Sequence, residues 1–235
     1  MWILASGMIR SGSTLQYQIA AELVEQTGVG YRISWTPETE FPLIEKRHRD
    51  VPGHKVFKTH TFTPDFERLC REHDARVLYS YRDLRDVATS ASRKFGLTFD
   101  ELLERGWLDQ AIADGARWRL LPRVLVSRYE DFAADVKGEV DRIACFLDLS
   151  LSRGRIAGIA NMFSMEKQRR RIDEAIHGMG AVTPSSMSCF DPHSLLHHNH
   201  IHKGEIGGWR NLPIEYRARL VERYGWWLAA QGYSV

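Results

Sequence analysis

Two glycines with four residues between them lie in the run Gly7-Met8-Ile9-Arg10-Ser11-Gly12-Ser13-Thr14. Between a strand and a helix, such a loop offers backbone N–H groups and the positive end of a helix dipole to a phosphate. The phosphate loop of triphosphate enzymes needs a lysine after its second glycine, to reach the β- and γ-phosphates. Ser13 stands there instead, and the loop's cation is Arg10. The loop therefore suits a phosphate but grips a triphosphate poorly. Two more groups carry chemistry: Lys58-Thr59-His60, and Arg82 just ahead of Asp83-Leu84-Arg85-Asp86. An unperturbed histidine titrates near neutral pH, as a general base must, and a guanidinium fork binds phosphate oxygens in pairs. A third cluster, His193, His197, His198, His200 and His202, has ligating atoms but no helix or turn pattern to fix their spacing, with Cys189 the one soft ligand nearby. It reads as an exposed loop or a wall of a binding site, and no metal is expected.

These groups need a scaffold to bring them together. Trp2-Ile3-Leu4-Ala5 is short, apolar and uncharged, the pattern of a buried parallel strand. From Thr14 the spacing turns helical through Leu15, Ile19, Leu23 and Gln26. Tyr31–Trp35 predicts a short strand, and the polar stretch Thr36–Pro52 reads mostly as loop. Lys55–His60 predicts a strand ending in polar residues, and Thr63-Pro64-Asp65 a capped helix start. Arg76–Arg82 is the clearest strand, with a helix opening at Asp83-Leu84-Arg85-Asp86. Thr98–Trp118 predicts helix split near Gly106, and Arg123–Ser127 a strand closed by Tyr129-Glu130-Asp131. Val136–Leu147 is an amphipathic helix. From about 161 to 211 the apolar rhythm fades into a long irregular segment, before a last helix begins at Pro213. Alternating strands and helices predict an α/β fold: a P-loop-like three-layer α/β/α arrangement around a central parallel sheet, one domain over 1–235. Ligands of such sheets bind beyond the carboxyl ends of the strands, where the glycine loop, Lys58-Thr59-His60 and Arg82 would converge.

The totals exclude several classes of function. With 43% hydrophobic and 26% charged residues and a net charge of +2, there is no bulk case for nucleic-acid binding. No apolar run is long enough to span a membrane, and no leader pattern precedes the first strand. Three cysteines, widely spaced and odd in number, argue against a disulfide framework, so a cytoplasmic protein is expected.

Taken together, the motifs resemble those of the sulfotransferases that use 3′-phosphoadenosine 5′-phosphosulfate (PAPS), in a short, bacterial-type variant of the cytosolic branch. Ile9-Arg10-Ser11-Gly12-Ser13-Thr14 is similar to their 5′-phosphosulfate loop, Pro-Lys-Ser-Gly-Thr-Thr. Tyr81–Ser90 is similar to their 3′-phosphate motif, with Arg82 and Ser90 at its arginine and serine. Lys58-Thr59-His60 and Tyr129-Glu130-Asp131 match Lys-Thr-His and Tyr-Glu-Asp, and Lys203–Asn211 is similar to the late glycine-containing loop. Five motifs occur in the family's order.

The resemblance implies PAPS as donor and PAP as product, with no metal required. It implies that backbone N–H groups of residues 10 to 15 (Arg10, Ser11, Gly12, Ser13, Thr14, Leu15) cradle the 5′-phosphate, with Ser13 and Thr14 adding hydroxyl donors. Arg10 would stabilise charge on the leaving phosphate, and Lys58 charge on the transferring group. His60 would be the general base. Arg82 and Ser90 would hold the 3′-phosphate with His202, Lys203 and Gly204, and Tyr129 would contact the adenine. Phe163 loosely echoes a further family segment. Gly208 stands where the family has aspartate, and His202 where it has arginine. Arg85 and Asp86 are better placed for ion pairing than Arg82. Glu40 or Glu45 remains a competing base, because other branches use glutamate. Trp35, Phe41 and Phe95 would line the pocket of a small-molecule acceptor, aromatic or apolar, presenting a hydroxyl or amine. A nucleotide kinase and a non-catalytic PAPS- or PAP-binding module are the alternatives.

Overall fold

In the computed structural model, which describes residues 1–178, 191, 193–196 and 204–235, the first apolar run forms β1 (Trp2–Gly7), buried at every residue. The chain continues through α1 (Ser13–Gln26), β2 (Gly30–Trp35), α2 (Phe41–His48), β3 (His54–Lys58), α3 (Pro64–Glu72), β4 (Ala75–Tyr81) and α4 (Leu84–Phe95). Next come α5 (Phe99–Glu104), α6 (Trp107–Arg119), β5 (Val124–Arg128), α7 (Tyr129–Ala134) and α8 (Val136–Phe146). Helices α9 (Arg153–Met162), α10 (Met165–Gly178) and α11 (Ile214–Ala230) complete it, with a 3-10 turn at Gly208–Asn211 ahead of the last. No helix among the described residues is long and apolar enough to cross a membrane.

The strands pair in parallel in the order β2-β3-β1-β4-β5. Both faces of the sheet are covered, and β1 shows why. Trp2 and Leu4 pack with Phe57, Phe66, Val77 and Trp118 on one side, while Ile3 and Ala5 pack with Tyr17, Ile19, Leu23, Val140 and Ile143 on the other. Side chains alternate across a strand, so an unbroken apolar run must be buried on both faces. This is the expected three-layer α/β/α fold. From β1 the chain first builds one side of the sheet and then crosses to the other, so the loops beyond β3, β1 and β4 diverge around a crevice.

Local signals set most boundaries. Thr63 accepts the Phe66 N–H to cap α3, which has Pro64 in its first turn. Gly106, at φ 64, separates α5 from α6. Three expectations are corrected. Thr36–Pro52 is not mostly loop, because α2 lies within it with Pro42 in its first turn. What holds this short helix is Phe41, stacked on Phe57 at 5.6 Å and tilted against Phe66 at 4.7 Å; burying such a ring contributes ~2–3 kcal/mol. Tyr129-Glu130-Asp131 opens the short helix α7 rather than closing a strand. The segment from 161 to 211 contains α10, whose weak periodicity follows from its partners. It turns Ile172 and the polar Gln168 inward, and Gln168 bonds Gln18 of α1.

Candidate active site

The glycine loop is tied to the neighbouring strand. The Met8 N–H donates to the Ser80 carbonyl at 3.0 Å. Ser11, fully buried, donates its hydroxyl to the Met8 carbonyl at 2.6 Å and lies 2.8 Å from the Ser80 hydroxyl. Ser11 thus shapes the loop, and its N–H, which the resemblance offers to the 5′-phosphate, donates to the Met8 carbonyl at 3.2 Å. At Gly12 (φ 86) a Cβ would lie 2.7 Å from the Phe132 ring and 2.9 Å from Tyr129, so only glycine fits. The Leu15 N–H donates to the Gly12 carbonyl at 2.9 Å. That leaves the N–H groups of Ser13 and Thr14 at the open end of α1, where the intrahelical ladder supplies no acceptor. Leu15 meets the cleft with its side chain instead.

This cleft, about 1120 Å³ of space open at its mouth, is lined by Arg10, Gly12, Thr14, Leu15, Arg82, Ser90, Tyr129 and Gly204. Arg10 adopts a left-handed backbone (φ 64) and donates through Nε to the Ser90 hydroxyl at 2.9 Å. Burial and the nearby Arg82 lower its pKa to about 10. Arg82, 7% exposed, lies with its guanidinium 4.2 Å over the Tyr129 ring and donates to the Glu205 carbonyl at 2.5 Å. Its Nε is buried with no hydrogen-bond partner among the described residues. Arg85 pairs with Asp83 at 2.8 Å and stacks 3.8 Å over Trp209. Asp86 accepts the N–H groups of Gly207 and Trp209 and also lies 3.4 Å from Arg82, so Arg82 is not the unpaired member of the group. These bonds fasten the late loop to α4 and set Gly204 over the cleft, where its carbonyl lies 3.4 Å from the Tyr129 hydroxyl. His202 and Lys203 fall outside the described residues, as do His197, His198, His200 and Cys189.

At the end of β3, Lys58 is 4% exposed and its Nζ lies 2.8 Å from His60 Nε2. His60 Nδ1 lies 2.9 Å from the Gly7 carbonyl. A carbonyl can only accept, so Nδ1 carries the proton and Nε2 presents a lone pair, which takes a hydrogen bond from Lys58. Burial, then the positive charge of Lys58, pushes the histidine pKa down to about 3. Burial, then Lys94 and Arg10, pushes Lys58 down to about 7. Lys94 is lowered to about 7 as well, by burial and Arg10. The site is a concentration of positive charge whose members hold down one another's protonation, and an anion would relieve it. Lys94 is not among the residues that the motifs single out. Its signal was the spacing from Ser90 to Lys94, which places both on one face of α4. The tie from Ser11 to Ser80 had no such signal, since it depends on the register that sets Gly7 opposite Ser80.

A second cavity, about 530 Å³, opens on the other side of the same loop and is bounded by Gly7, Met8, Ile9, His60, Tyr79 and the inner face of α6. Trp35 stands beside the junction, its ring 5.3 Å from His60 and 4.6 Å from Lys58 Nζ. Phe41 does not line a pocket, being fully buried in the core; Phe95 packs edge-on against Trp107 at 5.1 Å. Neither competing carboxylate lines either cavity. Glu45 is held by Arg68 at 2.7 Å, which lowers its pKa, and Glu40 stands at the start of α2 with no side-chain capping bond.

The sulfotransferase-domain family model matches residues 3–212. Among solved structures, the chain is similar to retinol dehydratase in complex with androsterone and inactive cofactor PAP, with a TM-score of 0.68 and 19% identity over 100% of this chain and 82% of that one. It is also similar to mouse sulfotransferase SULT7A1 complexed with PAP, with a TM-score of 0.65 and 16% identity over 97% of this chain and 84% of that one. At these identities the structural likeness speaks for the fold.

Proposed function

The chain belongs to the sulfotransferase-domain family, and we propose that it moves the sulfuryl group of PAPS onto a hydroxyl or amine of a small-molecule acceptor. The observation that carries this reading is the position of the Lys58–His60 pair. His60 lines the largely apolar cavity, and Lys58 beside it feels the charge of Arg10, which lines the cleft on the other side of the glycine loop.

The cleft fits a nucleotide with phosphate groups at both ends. Gly12 lines it with bare backbone, Arg82 keeps a buried Nε with no partner among the described residues, and the polar lining is rich in donors. The α1 N-terminus and Arg10 would hold the 5′ side, which a chain with Ser13 in place of a lysine can bind without a γ-phosphate. Arg82 and Ser90 would hold the 3′-phosphate together with Gly204, His202 and Lys203, and Tyr129 would pack against the base. Bound PAPS supplies an activated sulfuryl group, and the chain's own residues supply position, charge and a proton acceptor.

His60 is the proton acceptor in this reading. Gly7 fixes the tautomer that leaves Nε2 basic. Lys58 masks that lone pair in the unliganded site, so the ammonium must turn away before Nε2 can take the acceptor's proton. Sulfuryl oxygens are the partners that would draw Lys58 off. The same anionic charge offsets Lys58, Arg10 and Lys94, and so raises the basicity of His60 above its unliganded value.

Two experiments test this reading. Incubation with sulfur-labelled PAPS and a panel of phenols and alcohols is expected to give a labelled sulfate ester and free PAP; phosphate transfer from ATP would favour a kinase instead. Titration with PAP tests the charge balance. Lys58 and Lys94 sit near a pKa of about 7 in the free protein, and a bound polyanion raises both. Binding must then take up protons, and affinity is expected to fall as pH rises above 7, by up to roughly tenfold per pH unit for each lysine coupled. Calorimetry in two buffers of unlike ionisation enthalpy measures the proton uptake. An affinity that stays flat from neutral to alkaline pH would show that these lysines do not meet the phosphates.

A further inference from the structure

The second cavity carries a feature that sulfuryl transfer does not use. Trp107, Gln110, Ala111, Asp114 and Trp118 line it from α6, at the spacing of a single helical face. Such a face is ordinarily apolar throughout, yet two of these five residues are polar. Asp114 is only 7% exposed. Its single hydrogen bond comes from Gln110 Nε2, at 2.9 Å to Oδ1, and no cation pairs with it among the described residues. On the same cavity the hydroxyl of Tyr79 is buried without a partner, and Gly115 gives it room, since a Cβ there would collide with it.

An ionised carboxylate has about four acceptor positions, and Asp114 Oδ2, with no hydrogen bond among the described residues, is open to the cavity rather than sealed away from it. Among the described residues, the cavity's lining holds no lysine or arginine to supply an ion pair. The opposite wall cannot provide it, because Met8 and Ile9 are apolar and the cations of the loop face the other cleft. Trp118, one turn further along α6, donates its indole N–H to the His60 carbonyl at 3.3 Å. The stripe therefore meets the main chain of His60 at Trp118 and carries Asp114 about one helical turn, ~6 Å along the axis, from that contact. Between them the walls are Trp107, Trp118, Met8 and Ile9, which suit a flat apolar body.

We infer that the acceptor of this cavity is a hydroxylated amine, an aromatic or apolar body whose hydroxyl faces His60 and whose protonated amine sits on Asp114. This rests on the sulfotransferase reading for the role of the hydroxyl, and on the cavity alone for the amine. The acceptor's ammonium would replace water around Asp114 with an ion pair.

The test compares tyramine with para-ethylphenol, which differ by the amine, in binding to the full chain with and without PAP, followed by calorimetry. Wild type is expected to bind tyramine at least tenfold more tightly, and Asp114→Asn to abolish that difference while leaving para-ethylphenol within about twofold. In turnover with PAPS, the same change should raise KM for tyramine and leave kcat within about threefold. Equal binding of the two phenols by wild type overturns the inference, as does an equal loss of both in Asp114→Asn, the mark of a merely structural carboxylate. Amine binding that depends on Asp114 but never leads to sulfate transfer upholds this inference and removes the transferase reading. Transfer to para-ethylphenol with no gain for the amine does the reverse.

Discussion

His60→Ala is expected to lower kcat by about 10²–10⁴-fold, the usual contribution of a positioned general base, while the Kd for PAP stays within a few-fold. The split follows from where the imidazole sits. Its Nδ1 is engaged by the Gly7 carbonyl and its Nε2 by Lys58, and it lines the second cavity rather than the cleft. Removing it takes away a proton acceptor and leaves the cationic lining of the cleft in place. Losing the imidazole also frees the Lys58 ammonium, which can only improve its contact with an anion. Rates measured with a saturating acceptor, beside calorimetric titration of PAP, separate the two effects. Turnover close to wild type would remove His60 from the role of base. Glu45 would not inherit it, being held by Arg68 and distant from both cavities.

Arg82→Ala is expected to weaken PAP by about 10²-fold or more, the usual effect of truncating one member of a buried, charge-assisted contact. A nucleotide with the 5′-phosphate alone should lose less than about threefold. The difference identifies the group bound, because the 5′ side would be held by the α1 N-terminus and Arg10. Equal losses for the two nucleotides would mean that Arg82 supports the loop as a whole. That outcome has a structural route, since Arg82 also donates to the Arg10 and Glu205 carbonyls. Asp86 limits the collateral damage: without Arg82 it keeps the N–H groups of Gly207 and Trp209. Arg82→Lys preserves the charge without the planar fork and should fall between wild type and alanine.

The two variants also show how differently the parts of this site could be read from sequence. Gly7, Gly12, Ser13 and Thr14 were legible because strand, loop and helix start are consecutive, and backbone donors at a helix start need no distant residue to exist. Arg82 ahead of Asp83-Leu84 was legible for the same reason, with Asp83 capping α4 through the Arg85 N–H. Gly106 and Pro64 marked their boundaries by backbone chemistry. α2 was hidden because its stability comes from Phe41 stacking on Phe57 and Phe66, in two other elements. α10 was hidden because a glutamine paired with Gln18 occupies a place that periodicity expects to be apolar. Ser11 stands in a motif that suggests a backbone N–H for the phosphate, yet that N–H donates to the Met8 carbonyl, and its hydroxyl is bound to Met8 and Ser80.

Sequence alone determined the fold class, the family's motifs and their order, and the argument for a phosphate over a triphosphate. All of these reside in residue types within a few positions of one another. Tertiary structure alone decided which atoms meet and in what state. The glycine loop separates a cationic cleft from an apolar cavity because β1 lies between β3 and β4. The Lys58 ammonium rests on the His60 lone pair, Arg10 reaches Ser90, and Asp114 is 7% exposed with no cation paired to it among the described residues. Protonation states depend on burial and on charges brought close from distant positions in the chain, and neither exists until the sheet has set its register.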